Sequence, residues 1–505
     1  MNPQILEGLK MVASPLGIAL MLGGVILGSV FGAIPGLTGS ICIAIMLPIT
    51  FGMDKTLAMA LLVAIYVGAS YGGSIAAILF GTPGTPESSM TVFDGHPMAQ
   101  RGQAKKALNI ALYSSAAGNL LSSVIMITLS VYIAKIALAF GAAEYASVIL
   151  FSLVLIATLG SKGSALKGLA AVCVGLFISF IGPDPINATP RFSFGNINLT
   201  SSISIVPVLV GVFVGGEVLQ HVSIRYPHVK LSKEESKAQN KITGKEIRAC
   251  IPGVLSGTII GSIMGALPAL NASVSATLNY TLTKRFSKHP ERFGTGIAEG
   301  IAAPEAANNA TVGPALVPLL TLGIPGTGTA AILLGALMMQ GVIPGPMIFR
   351  DYGEVVYGIF FCLVICTLLL VFGGKLVIAM SKTVLNFPRE KIYPVIIMLC
   401  CVGAYCTNRR LFDVFILLVC MLVGYLMSRV HMPVLPLVIG YLLGSTFEKN
   451  LRQALLMSRG SINIFFKSAI STVFLALTAA LVLWFVISEI MSIVKQRKQK
   501  ERETA

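Results

Sequence analysis

GVILGSVFGAIPGLTGS, residues 24–40, is apolar enough for a membrane helix and is built to interrupt one. Glycines recur at Gly24, Gly28, Gly32 and Gly36, Pro35 stands in the last turn, and hydroxyls follow at Thr38 and Ser40. Glycine at every fourth position gives a helix one flat face that a neighbouring backbone can approach closely. Proline then removes a backbone donor and clashes with the preceding turn, so the helix ends there. Inside a bilayer the freed backbone groups must be buried in protein or line a wet cavity. The pattern returns far downstream in GTIIGSIMGALPALNAS, residues 257–273. Residues 24–37 and 257–270 agree at eight of fourteen positions.

A second pair follows in the same order. FGTPGT at 80–85 and LGIPGT at 322–327 share their Gly, Pro, Gly and Thr. Two motifs repeated in order point to two internally duplicated halves, expected as inverted repeats. Gly/Pro-interrupted apolar segments at corresponding places in two halves mark the substrate site of secondary transporters. The plainer alternative is a pair of tightly packed structural helices with proline kinks.

Composition fixes the class. Of 505 residues, 55% are hydrophobic and 11% charged, against about 25% charged in soluble domains. Apolar runs long enough to cross the bilayer recur along the chain, without the period-2 alternation of a β-barrel. The expectation is an all-α polytopic membrane protein with 10 to 13 crossings, broken or re-entrant segments included. The spans are read at about 15–34, 56–80, 107–136, 144–160, 165–182, 203–222, 250–270, 310–340, 354–380, 392–406, 411–428, 432–446 and 468–494.

The net charge of +16 sits in loops and tails, chiefly RYPHVKLSKEESKAQNKITGKEIR at 225–248 and KQRKQKERE near the end. Basic loops stay in the cytoplasm, so this charge reads as topology and no nucleic-acid partner is expected. The domains expected are a transmembrane repeat at 1–224, a basic cytoplasmic linker at 225–249, a second repeat with additional helices at 250–494, and a basic cytoplasmic tail at 495–505. Nine cysteines lie in apolar runs and five histidines are scattered, so no metal site is expected. The first residues lead into the first span without a cleavage motif, so the start reads as mature sequence.

Each break is followed by neutral hydrogen-bonding groups. Thr38 and Ser40 follow Pro35 and Gly36, while Asn271 and Ser273 follow Pro268. The other two breaks carry Pro83, Gly84 and Thr85, and Pro325, Gly326 and Thr327. Half-helix N-termini present free N–H groups and a positive dipole end, which favour anions. An anionic or polar organic solute suits this set. In GIAEGIAAPEAANNATVGP, residues 296–314, Glu305, Asn308 and Asn309 sit in an almost uncharged run. An ionisable group at membrane depth is expensive and usually functional. Glu305 with Asn308 or Asn309 is therefore expected to help bind substrate or a coupling H⁺ or Na⁺, with both asparagines candidates for substrate and Glu305 and Asn308 for the ion, against the alternative that Pro304-Glu305 merely opens a helix at the interface. FDGHPMAQRGQAKKAL, 93–108, reads as a basic loop with a turn at Asp94-Gly95.

GAIPGLTG, SYGGSIAAILFGTPGTPESSMTVFDGHPMAQRGQAKKAL and AAPEAANNATVGPALVPLLTLGIPGTGTAAILLGALMMQGVIPGP together resemble the large membrane subunit of the bacterial tripartite tricarboxylate transporters, over roughly residues 15–440. The resemblance implies a permease of the bacterial inner membrane. It also implies a periplasmic solute-binding protein and a small four-helix membrane subunit as partners, and import of carboxylates driven by an ion gradient. The family's segments fall on Pro35 to Thr38, Pro83 to Pro86, Pro304 to Asn309 and Gly323 to Gly326. His96 and Pro268-Ala269 depart from its pattern. No Walker A loop or HExxH occurs, which speaks against ATP hydrolysis by this chain and against a metalloprotease, so no enzyme is expected; a passive channel and a membrane-embedded enzyme are the alternatives. No cofactor is expected beyond the coupling ion.

Overall fold

The computed structural model describes residues 3–137, 140–159, 165–221, 240–267, 272–345, 347–385 and 389–504. In chain order the helices begin with α1 Pro3–Val12, α2 Pro15–Ala33, α3 Gly39–Met46, α4 Lys55–Phe80, α5 Thr91–Met98, α6 Ala104–Ala137, α7 Ala142–Leu159, α8 Ala165–Ser179 and α9 Ile205–His221. They continue with α10 Gly244–Ala266, α11 Ala272–Phe286, α12 Ala298–Asn309, α13 Leu316–Leu322, α14 Gly328–Met339, α15 Ile348–Asp351 and α16 Gly353–Leu385. The series closes with α17 Arg389–Asn408, α18 Leu411–Arg429, α19 Val434–Met457, α20 Ile464–Lys467 and α21 Ala469–Thr504. One two-residue antiparallel pair, β1 Gly182–Pro183 with β2 Pro190–Arg191, is the sheet among the described residues. Eight described helical stretches are long and apolar enough to cross a membrane, with five shorter apolar helices beside them. This is an all-α polytopic membrane protein.

The chain forms two compact units. Unit 1 comprises Met1–Leu138 and Ser204–Ser428. Its densest packing is α2 on α4, and the glycine faces explain it. A Cβ on Gly24, Gly28 or Gly32 would collide with the carbonyl oxygens of Leu61, Ile65 and Ala69, and Gly68 and Gly72 of α4 return the contact to Val25 and Ser29. The second copy of the motif behaves alike. Gly257, Gly261 and Gly265 of α10 press on the carbonyls of Ala303, Ala307 and Thr311 in and just after α12. Direct backbone contact of this kind replaces the hydrophobic effect that lipid cannot supply.

Unit 2 comprises Ala139–Ile203 and Arg429–Ala505. In it α8 packs on α19, and α7 on α19 and α21. The hairpin after α8 is tied down by charge. Asp184 accepts the Ile186 and Asn187 amides at 2.8 and 2.9 Å and the Arg452 guanidinium at 2.6 Å. Arg191 grips Glu448 with two bonds of 2.7 and 2.8 Å. The two amides and Arg452 hold the Asp184 carboxyl well below the usual carboxylate range.

Three sequence expectations change. The run 310–340 is not one span but a turn, α13, an extended break and α14. Pro314 lacks the N–H a helix needs, and Gly323, at φ 70°, ends α13 in a left-handed cap. Both interruptions lie in apolar sequence, so hydropathy does not register them. The 225–249 segment is not linker to its end: α10 begins at Gly244, capped by Thr243 with Glu246, while residues 222–239 lie outside the described residues. FDGHPM is not a loop but helix α5, with Asp94 fully buried.

Candidate functional site

The first break becomes a helix start. After α2 the backbone leaves helical geometry through Gly36, at φ 87°, where L side chains are strained. Thr38 is then extended and caps α3, its Oγ1 accepting the Ile41 amide at 3.4 Å. The break at 323–327 does the same in unit 1's other half. Thr327 is extended and caps α14, accepting the Ala330 amide at 3.1 Å. Short hydroxyl caps satisfy one of the orphan donors of a helix start and leave others free.

These two helix starts adjoin. Ser40 and Thr329, each the second residue of its helix, share a hydrogen bond of 2.8 Å. Tyr66 of α4 lies beside Thr327. The structure thus joins the helix start that follows Pro35, Gly36 and Thr38 to the one that follows Pro325, Gly326 and Thr327, through Ser40 and Thr329. Two positive dipole ends and a set of hydroxyls meet at one place, an arrangement suited to an anion.

The remaining described candidates sit elsewhere in unit 1. Gly84 donates its amide to the Gly73 carbonyl at 3.1 Å and lies against Gly32. Thr85 opens the short 3-10 turn Pro86–Ser88, and its Oγ1 is buried without a hydrogen-bond partner. Gly81 ends α4 at φ 67° and ψ 13°, close to the φ 70° and ψ 22° with which Gly323 ends α13. After these caps the two segments differ, because the chain continues into a turn and α5 after Gly81 but into a break and α14 after Gly323. Ser273 is half-buried in the first turn of α11, its carbonyl accepting the Thr277 hydroxyl at 2.7 Å. Asn271 lies outside the described residues, as does Pro268.

Helix α12 contributes the polar seam. The Asn308 amide donates to the Ser70 carbonyl at 2.8 Å and Asn309 to that of Val67 at 3.4 Å. Their amide oxygens are buried and have no hydrogen-bond partner. Glu305 is completely buried, accepting the hydroxyls of Thr91 and, at 3.0 Å, Ser115, with Ser74 beside it. It is the eighth residue of α12. The reading of Glu305 as a helix opener is therefore overturned: it lies well inside α12, buried among hydroxyls of α5 and α6. Among the described residues it forms no ion pair.

Two residues escaped the sequence reading. Glu217 of α9 accepts the Thr38 hydroxyl at 2.8 Å, which places a carboxylate directly behind the α3 cap. The signal was present, since it is a single acid in the apolar run VLVGVFVGGEVL. Asp94 accepts the Gly294, Gly296 and Ile297 amides at 2.9 to 3.1 Å and the Tyr280 hydroxyl at 2.9 Å. It thereby ties α5 to the start of α12, where the sequence showed only a turn dipeptide. GASYG at 68–72 has the spacing of a hydrolase nucleophile elbow, which needs a strained strand-to-helix turn. Here it lies inside continuous α4, and the Ser70 hydroxyl folds back onto the Tyr66 carbonyl at 3.1 Å.

The sequence profile of the tripartite tricarboxylate transporter TctA family matches residues 18–439. A relative from Agrobacterium vitis, described as an uncharacterized 52.8 kDa protein in the TAR-I ttuC' 3' region, is 36% identical over 494 residues, 96% of each chain. A second from the same organism, described as an uncharacterized protein in the TAR-II ttuC' 3' region, is 34% identical over 189 residues, 37% of this chain and 78% of that one. No solved structure matches significantly.

Proposed function

This chain belongs to the tripartite tricarboxylate transporter TctA family, and we propose that it is the permease subunit of a binding-protein-dependent secondary transporter importing an organic carboxylate across the bacterial inner membrane. The observation that carries this reading is the meeting of the α3 and α14 starts, joined by Ser40 and Thr329. Substrate carboxylate would be held there by free helix N–H groups and the hydroxyls of Thr38, Ser40, Thr327 and Thr329. The α4–α12 seam is the site proposed for the coupling cation, H⁺ or Na⁺. Glu305 supplies charge there, and the unpartnered Asn308 and Asn309 oxygens supply neutral ligands. A periplasmic binding protein delivers the anion and a small four-helix membrane subunit completes the complex. One half of unit 1, read as an inverted repeat of the other, then moves to expose the site inward. The matching left-handed caps at Gly81 and Gly323 support that repeat reading.

The test is uptake by cells carrying the complex, over a panel of tricarboxylates, dicarboxylates and sugars as controls, with and without ionophore. Saturable carboxylate uptake that collapses with the ionophore is the expected result. Linear, ionophore-insensitive flux would favour a channel, and absence of carboxylate selectivity would remove the substrate class.

A further inference from the structure

An anion site built from two helix starts should have no carboxylate of its own, yet Glu217 stands at this one. Its Oε2 accepts a hydrogen bond from the Thr38 hydroxyl at 2.8 Å, the same side chain that caps α3. Among the described residues Glu217 has no ion pair. The elements packed on α9 bring little to balance it. α3 carries Cys42 as its titratable side chain and α14 carries none, while α18 presents Cys420 and Met421 to Gly211 and Gly215. Among its described side chains α17 carries Lys391, Tyr393, Tyr405 and the thiols Cys400, Cys401 and Cys406, and its Asn408 and the nearby Arg410 and Asp413 gather around Ser204, at the far end of α9. The charged group that acts on Glu217 is another acid, Glu87.

Two carboxylates within a few ångströms do not both stay ionised in a poorly solvated place. Thr38 has one proton to donate, so it serves either Glu217 or an incoming carboxylate. We propose that Glu217 is a second coupling carboxylate, one that binds a proton at the substrate site itself, apart from the cation site of the α4–α12 seam: it holds Thr38 while the site is empty, and takes a proton from solution as the substrate anion enters. The Thr38 hydroxyl then turns from Glu217 to the substrate. Release on the inner side reverses both steps, so the anion and one proton travel together. No bond is made other than the O–H on Glu217. This inference rests on the carboxylate site proposed above and adds its regulation.

The experiment is proton uptake on citrate binding to the full chain in detergent, followed with an indicator dye in weak buffer at pH 8, where citrate itself is fully ionised. Wild type should take up protons from solution, and E217Q about one proton fewer per citrate bound. Equal uptake by the two, or none by wild type, overturns the proposal. Should E217Q not fold, the pH dependence of citrate affinity in wild type decides, with E217D as the conservative control. Coupling to one proton weakens binding about tenfold per pH unit on the alkaline side, and an affinity flat across pH 6 to 9 overturns it. T38V separates the layers. Weaker citrate binding by T38V beside unchanged proton uptake in E217Q defeats the Glu217 role alone. Absence of citrate binding in wild type defeats the tricarboxylate site itself.

Discussion

Asp94 joins two distant stretches of chain with one side chain, accepting three backbone amides from residues 294–297 and the Tyr280 hydroxyl. Those donors hold the entry to α12, and α12 carries Glu305, Asn308 and Asn309 into contact with α4. A carboxylate is the suitable acceptor, because charge-assisted bonds are about twice as strong as neutral ones. The neighbouring Gly300 leaves room for it, since a Cβ there would strike the Asp94 carboxylate. D94A strands the buried Tyr280 hydroxyl and leaves three partly exposed amides to water, and one buried orphan costs about 1–3 kcal/mol. We expect a loss of about 2–3 kcal/mol, measured as a lowered unfolding midpoint in detergent, with D94N intermediate. A melting curve unchanged in D94A would show that α12 is held by packing alone. None of this could be read from Asp94-Gly95, because a turn dipeptide and a buried helical capper look alike until the amides 200 residues away are placed.

At the scale of elements, the glycine ladders were legible and the breaks only partly so. A four-residue glycine period predicts a flat face whatever lies opposite, and Gly28 and Gly261 each meet a backbone carbonyl as that period requires. G28A puts a methyl against the Ile65 carbonyl and should cost about 1–3 kcal/mol. G23A, where a Cβ meets nothing, should be neutral or stabilise by up to about 1 kcal/mol through helix propensity. Equal melting of the two variants would contradict the α2–α4 packing. The partnership of breaks was not legible. Sequence likeness pairs 35–38 with 268–271, the latter outside the described residues; the contact that is observed joins α3 to α14, and it depends on α4 and α9, which pack on both. G36L and G326L load a β-carbon and more onto the two breaks. We expect both to insert normally and to lose transport at least tenfold, and normal uptake by both would count against the helix-start site.

For the molecule as a whole, the two units have separate sources of order. Unit 1 depends on backbone contact and buried hydroxyls, unit 2 also on the ion cluster of Asp184, Arg191, Glu448 and Arg452. Because the folded state depresses the Asp184 pKa, its contribution is complete above the unfolded carboxylate value of about 3.9 and is lost as pH falls through the folded one. Corrected hydrogen exchange at the Ile186 and Asn187 amides should therefore rise only on acidification below about pH 4. In D184N it should be fast and independent of pH; protection in D184N equal to wild type would place the order of the hairpin elsewhere. Helix α4 carries a different implication. It is buried over 94% of its apolar stretch, and the asparagines that engage its mid-helix carbonyls arrive on α12, roughly two hundred residues later in the chain. During synthesis the Val67 and Ser70 carbonyls must therefore wait in or beside the insertion machinery, with α4 covered only by earlier helices, chiefly α2, α3, α5 and α6, until the ribosome has delivered α12 and then α16, which also packs on α4. A nascent chain stalled before residue 298 should leave α4 open to exchange and proteases, and extension past α16 should close it.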